Sequence, residues 1–247
     1  MDHSATFSFF GSLNDFIPVS KRGQPLPYCF AGAPAVKDAI EALGVPHPEV
    51  EVILINGQPV DFYRPLQAGD QVAIYPAASR AQHPESYSVR AGLLPPDAFV
   101  LDVHLGKLVR ALRMLGFDSC YRNDYTDKDI SHIAQSENRI ALTRDVGLLK
   151  QKSIRWGYWL RSQLLTEQLG EVISCFHLKK KFRPFTRCIA CNGPIVEVQK
   201  ESVVTQLPPK TKLYFDEFYQ CNCCGRVYWK GSHYERMQEF IGRYLNP

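Results

Sequence analysis

Two CxxC pairs, Cys188-Ile-Ala-Cys191 and Cys221-Asn-Cys-Cys224, constrain this chain more than any other feature. Four thiols at that spacing wrap a tetrahedral cation in two tight turns, each followed here by a glycine, Gly193 and Gly225. The spacing predicts a zinc ribbon whose ligands are Cys188, Cys191, Cys221 and Cys224. Cys223 competes with Cys224, but only Cys224 completes the spacing with glycine behind it. Four thiolates leave zinc no open position, so this ion is expected to be structural. Free or redox-active thiols are the rival reading. The pairs lie far apart, which predicts an inserted hairpin containing Pro208-Pro209. Cys29, Cys120 and Cys175 read as small apolar residues.

The first residues carry no basic stretch followed by an apolar run, and no apolar run reaches membrane-spanning length. A soluble, cytoplasmic protein without a membrane partner is expected, a setting that favours metal binding by cysteine over disulfides. The sequence leaves oligomeric state open. At 247 residues, 45% of them hydrophobic, the chain is long enough for two or three small domains. Its formal charge runs from −3 over residues 1–80 to +1 over 81–175 and +6 over 176–247. A basic end beside an acid-rich middle suits a nuclease, in which cations hold phosphates and carboxylates hold a metal. An ordinary solvated surface accounts for the charge equally well.

Residues 1–79 read as one small mixed unit, with strands at Ala5–Phe10, Val50–Ile55 and Gln71–Tyr75 and a helix over Pro34–Leu43. Asn56-Gly57 is a hairpin signal, and Val36, Ala39, Ile40 and Leu43 form one apolar helix face that Gly44 ends. The run from Val36 to Gly44, then Ile53-Leu-Ile-Asn-Gly57, then Leu66 with Gly69-Asp-Gln-Val-Ala-Ile-Tyr-Pro76, resembles a ubiquitin-like β-grasp domain. It is similar to the sulfur carriers of thiamin and molybdopterin synthesis. Those carriers end in an activated Gly-Gly, whereas this chain continues through Ala77-Ala-Ser-Arg80. Carrier chemistry is thereby excluded for the segment, leaving docking of a protein partner or a structural role. Residues 80–96, polar and containing three prolines, read as a linker.

Residues 97–178 alternate as strand and helix: Phe99–Val103, a helix with a Leu105, Leu108, Val109, Leu112, Leu115 stripe, Asp118–Arg122, a helix after Thr126, and Arg139–Thr143. That order predicts a parallel α/β sheet. Asp102 and Asp145 then fall at carboxyl ends of strands, where such sheets place their ligands. Two carboxylates converging there are tolerable mainly when a divalent cation neutralises them. Helix capping is the alternative for each: Asp102 by the dipole, Asp145 before Val146, and Asp129 in a capping box with Thr126.

Phe99-Val-Leu-Asp-Val-His-Leu-Gly-Lys-Leu-Val-Arg-Ala-Leu-Arg-Met-Leu-Gly-Phe-Asp118 and Leu142-Thr-Arg-Asp-Val-Gly-Leu-Leu149 resemble the mutator-seven C-terminal RNase family, a PIN-like group. Matching phrases continue through Glu167–Val172, Phe185–Cys188 and Tyr228–His233. The resemblance implies a PIN-like ribonuclease in which Asp102, Asp129 and Asp145 bind catalytic Mg²⁺ or Mn²⁺. Asp124 and Asp127 lie close to Asp129 in sequence, and Glu167 or Glu171 is the candidate fourth acid. Lys107, Arg110, Arg113, Arg144, Lys230 and His233 are candidate RNA contacts; for the helix cations a solvent face opposite the leucine stripe is the alternative. The basic and aromatic residues of 179–247, among them Tyr228 and Trp229, form either an RNA platform or ribbon core. The expected layout is a β-grasp domain, a PIN-like core and a zinc ribbon with a C-terminal extension. A non-catalytic RNA-binding adaptor is the competing function.

Overall fold

The strands in the computed structural model, which describes residues 3–245, are β1 (His3–Phe9), β2 (Leu26–Phe30), β3 (Val50–Ile55), β4 (Gln58–Pro59), β5 (Gln71–Pro76), β6 (Ala98–Leu101), β7 (Asp118–Cys120), β8 (Ile140–Thr143), β9 (Gly157–Trp159), β10 (Ile195–Val198), β11 (Phe218–Cys221) and β12 (Val227–Trp229). The helices are α1 (Val36–Ala42), α2 (Gly106–Met114), α3 (Asp127–Ser136), α4 (Val146–Leu149), α5 (Leu165–Cys175), α6 (Lys200–Val203), α7 (Pro209–Tyr214) and α8 (Ser232–Leu245). None is long and apolar enough to cross a membrane. The chain forms two compact units, one from residues up to Pro96 with Ser131–Trp159, the other from Asp97–Ile130 with residues from Leu160 onward.

The first unit is built on a β-grasp sheet in the order β2-β1-β5-β3-β4, with β1 parallel to β5 and antiparallel to β2. Strand alternation turns Ala5, Phe7 and Phe9 inward. Val36, Ala39 and Ile40 of α1 are buried in the same apolar cluster, each such side chain contributing roughly 1.5–3 kcal/mol if large. β2 lies at the sheet edge, where Pro27 is tolerated because it owes the ladder no N–H on its open side.

After β5 the chain runs into a 3₁₀ turn over Ala77–Gln82. The prolines that follow do not leave the segment without partners. Arg90, buried, donates to the carbonyls of His47, Pro48 and Val50 and to Glu51 Oε2 at 3.3 Å, while Ser88 Oγ donates to Glu51 Oε1 at 2.7 Å. The Arg90 guanidinium also lies 4.9 Å from the Trp156 ring centroid. Removing one member of a buried charge pair leaves the other uncompensated, so Arg90→Met is expected to lower unfolding free energy by about 3–5 kcal/mol in denaturant titration.

The same unit contains the parallel pair β8–β9. Several contacts fasten the β-grasp portion to the segment after α4. Lys150 Nζ donates to Glu41 O at 2.8 Å, the Trp159 N–H donates to Glu49 Oε1 at 2.6 Å, and His47 Nε2 lies 2.8 Å from Ile154 O. Burial works against the Glu41 carboxylate, but the hydrogen bond and charge of His47 outweigh it and hold its pKa below 4.5.

In the second unit β6 and β7 run parallel, with Phe99 opposite Ser119 and Val100 opposite Cys120. The predicted helix stripe is buried throughout: Leu105, Leu108, Val109, Leu112 and Leu115. Gly116, at φ +93°, closes α2; a Cβ there would stand 2.1 Å from the Arg183 carbonyl oxygen, which leaves room only for glycine. The ribbon sheet β10-β11-β12 is antiparallel. Its apolar cluster is small, Val203, Leu207 and Phe218 with partly buried neighbours such as Trp229. Between the cysteine pairs β10 and β11 form an antiparallel pair, and the segment that joins them is helical, carrying α6 and α7. Pro208-Pro209 starts α7 instead of a strand turn, since Pro209 sits in the first helical turn, where its missing N–H costs nothing.

Candidate functional site

Asp102 follows β6 and is 9% exposed. It occupies the N-cap position of the 3₁₀ turn Val103–Leu105, yet its side chain makes no capping hydrogen bond. Burying a carboxylate is costly in an apolar setting, so capping does not explain it. The turn is held by Tyr121, whose hydroxyl donates to the Val103 carbonyl at 2.8 Å. That ring also explains Gly106, where a Cβ would lie 3.0 Å from the Tyr121 hydroxyl.

The other two acids have visible local work. Asp129 Oδ2 accepts from the Thr126 N–H at 2.8 Å and from Thr126 Oγ1 at 2.7 Å, and its own N–H reaches Thr126 Oγ1 at 3.3 Å. This is the capping box, and it opens α3. Asp145, exposed, caps α4 by accepting from the Gly147 N–H at 2.6 Å. Of the neighbouring acids, Asp124 is paired with Arg122 at 2.7 Å, and that hydrogen bond lowers its pKa. Glu171 accepts the backbone N–H groups of Arg161 and Ser162 at 2.9 and 3.0 Å, and Glu167 accepts from Ser162 Oγ at 2.5 Å.

Of the cations expected to meet RNA, Lys107, Arg110, Arg144, Lys230 and His233 are exposed. Lys230 pairs with Glu217. Arg113 requires a correction: it is 4% exposed, and its guanidinium donates to the carbonyls of Ser119, Ile189 and Ala190. It sits on the buried side of α2 and holds the first cysteine knuckle, so no face remains for a phosphate. Arg113→Met strands those acceptors and is expected to cost about 3 kcal/mol by chemical denaturation, whereas Arg110→Ala should stay within about 0.5 kcal/mol.

The four cysteines Cys188, Cys191, Cys221 and Cys224 place their sulfurs within 4.8 Å of one another. A zinc ion with Zn–S bonds of about 2.3 Å requires tetrahedral S···S edges of roughly 3.8 Å. The Cys188–Cys224 and Cys191–Cys221 separations are 3.7 and 3.4 Å, so the donor set fits that ion. Burial opposes ionisation of Cys188, but the Tyr228 hydroxyl, 2.9 Å from its sulfur, and the nearby backbone N–H groups bring its pKa down to about 6. Burial and neighbouring sulfurs push Cys191 up to about 12. Sulfurs this close ionise together only around a cation.

The two knuckles use different residues for the tight turn. Gly225 carries positive φ in the second, but in the first Asn192 does so, at φ +73°. Asn192 also accepts from the Ser119 N–H at 2.9 Å and donates to Asp118 Oδ1 at 2.8 Å, tying the knuckle to β7. Gly193 is needed for space, because a Cβ there would stand 2.9 Å from Cys221 Sγ and 2.6 Å from Cys223 Sγ. The sequence signal for Asn192 was its place between ligand and glycine.

The model of the Mut7-C RNAse domain matches residues 97–241, and that of the Mut7-C ubiquitin domain matches residues 2–82. No curated protein matches the chain. Two crystal structures of small archaeal modifier protein 1 from Haloferax volcanii are similar to it. They are 19% and 20% identical, each over 30% of this chain and over 97% and 93% of their own lengths, with a TM-score of 0.25 in both cases.

Proposed function

This chain belongs to the Mut7-C RNAse domain family, and from that premise we propose that it hydrolyses RNA phosphodiesters with a divalent cation held by Asp102, Asp129 and Asp145. The observation that carries the proposal is Asp102, a carboxylate only 9% exposed at the carboxyl end of β6, where parallel α/β sheets place their ligands. Oxygen-only donors of this kind suit Mg²⁺ or Mn²⁺. When bound, such an ion lowers the pKa of a water and stabilises charge on the phosphoryl oxygens.

The protein's own contribution is to hold the carboxylates and the RNA. Tyr121 fixes the turn that carries Asp102, while the capping contacts of Asp129 and Asp145 orient those side chains. Lys107, Arg110 and Arg144 present exposed charge to phosphates. Structural zinc, bound by Cys188, Cys191, Cys221 and Cys224, keeps the ribbon folded. Purified chain with Mn²⁺ should cleave a labelled RNA and stop when the free divalent ion is withdrawn while zinc stays bound. Intact RNA with Mg²⁺ and with Mn²⁺ alike sinks the proposal.

The competing reading, a non-catalytic RNA-binding adaptor, is favoured by one observation: Asp129 and Asp145 already serve as caps. It predicts RNA affinity without cleavage, indifferent to Asp102.

A further inference from the structure

A cavity of about 430 Å³ lies in the second unit, lined by the rings of Phe185, Tyr219, Tyr228, Trp229 and Tyr234. Resting on the ribonuclease reading, we propose that this cavity is a subsite for one unstacked nucleobase of single-stranded RNA. Its size falls in the range of small-ligand sites.

The charge around the cavity decides what enters it. Arg187 and Lys230 line it, but Arg187 pairs with Asp118 at 3.2 Å and Lys230 with Glu217. Glu197 also lines it. A phosphate placed inside would meet a carboxylate and cations that are already neutralised. A flat, neutral group with a polar edge meets what it needs: aromatic faces for its rings and Glu197 or Arg187 for its edge. The phosphates belong outside, and the chain leading into the cavity supplies Lys179, Lys180 and Arg183, all exposed. That basic run favours RNA over a protein side chain as the occupant.

The wall at Phe185 is held in a conformation few large residues adopt. Its φ is +62°, its N–H donates to the Met114 carbonyl at 2.9 Å, and its ring lies 4.6 Å from that of Tyr234. A bulky side chain kept there by surrounding contacts gives a preformed face for stacking.

Binding of a uridylate dodecamer carrying one 2-aminopurine, a strand in which that base is unstacked when free, tests the assignment, using the full zinc-loaded chain without added magnesium or manganese. Wild type should quench the 2-aminopurine. The Tyr219→Ala/Tyr234→Ala double variant should lose the quench and weaken affinity roughly tenfold or more, with affinity for a blunt RNA duplex unchanged. Met237→Trp, which fills the cavity from α8 without removing a ring, should do the same and guards against misfolding of the first variant. Zinc content and circular dichroism are read alongside. Wild-type quench and affinity in both variants overturn the proposal, including the case in which the cavity serves a protein partner's aromatic side chain. Quenching that persists in a chain unable to cleave RNA sinks the hydrolase reading and leaves the subsite standing; the opposite pattern does the reverse.

Discussion

Cys188→Ser is expected to unfold the ribbon. Among the described residues, the cluster behind β10, β11 and β12 buries Val203, Leu207 and Phe218, too few side chains to offset the chain entropy of the ribbon. Cation binding must supply the difference, and a structural zinc site contributes on the order of 10–16 kcal/mol at neutral pH. The expected result is loss of bound zinc, early proteolysis between β10 and α8, and a lower thermal midpoint. Damage should spread beyond the ribbon, because Arg113 and Asn192 join the first knuckle to α2 and β7. Acid should act in the same direction: as pH falls, protons compete for the thiolates and zinc is released. A Cys188→Ser protein with the wild-type midpoint and proteolytic pattern would show that the ribbon folds without its ion.

Asp102→Asn is expected to have the largest effect on activity. The amide keeps the shape of the carboxylate but not its charge, and removing partners one layer behind a metal ligand already costs about 10–100-fold. Loss of a ligand should therefore exceed about 100-fold in cleavage rate. Thermal midpoint and zinc content, measured beside the cleavage rate, separate this outcome from misfolding. A rate within about twofold of wild type is inconsistent with Asp102 as a ligand.

Periodicity made the parallel α/β pattern and the leucine stripe of α2 legible in the sequence, since each depends on neighbours a few residues away, whereas the β-grasp assignment came from resemblance to ubiquitin-like domains. The cysteine group was legible for the same reason, each knuckle being a local turn. Arg113 was not. Its position, four residues after Val109 and next to Leu112, gave no sign that the carbonyls of Ser119, Ile189 and Ala190 surround it, the last two from 76 and 77 positions away. β2 escaped notice because Pro27 within it argues against a strand unless that strand is an edge. The Pro208-Pro209 turn signal was real, but proline opens helices as readily as it breaks strands. For the acids, the sequence pattern could not separate capping from metal binding; the hydrogen bonds show caps at Asp129 and Asp145 and none at Asp102.

End mapping of total cellular RNA treated with the zinc-loaded chain and Mn²⁺, as wild type, Asp102→Asn and Asp145→Asn, tests the hydrolytic claim most directly. Were Asp102 and Asp145 to hold such an ion, it would supply an activated water that needs no help from the ribose 2′-hydroxyl, so new ends free of 2′,3′-cyclic phosphate should appear with wild type and vanish with both variants. Cyclic phosphate ends, or identical ends from all three proteins, would contradict it.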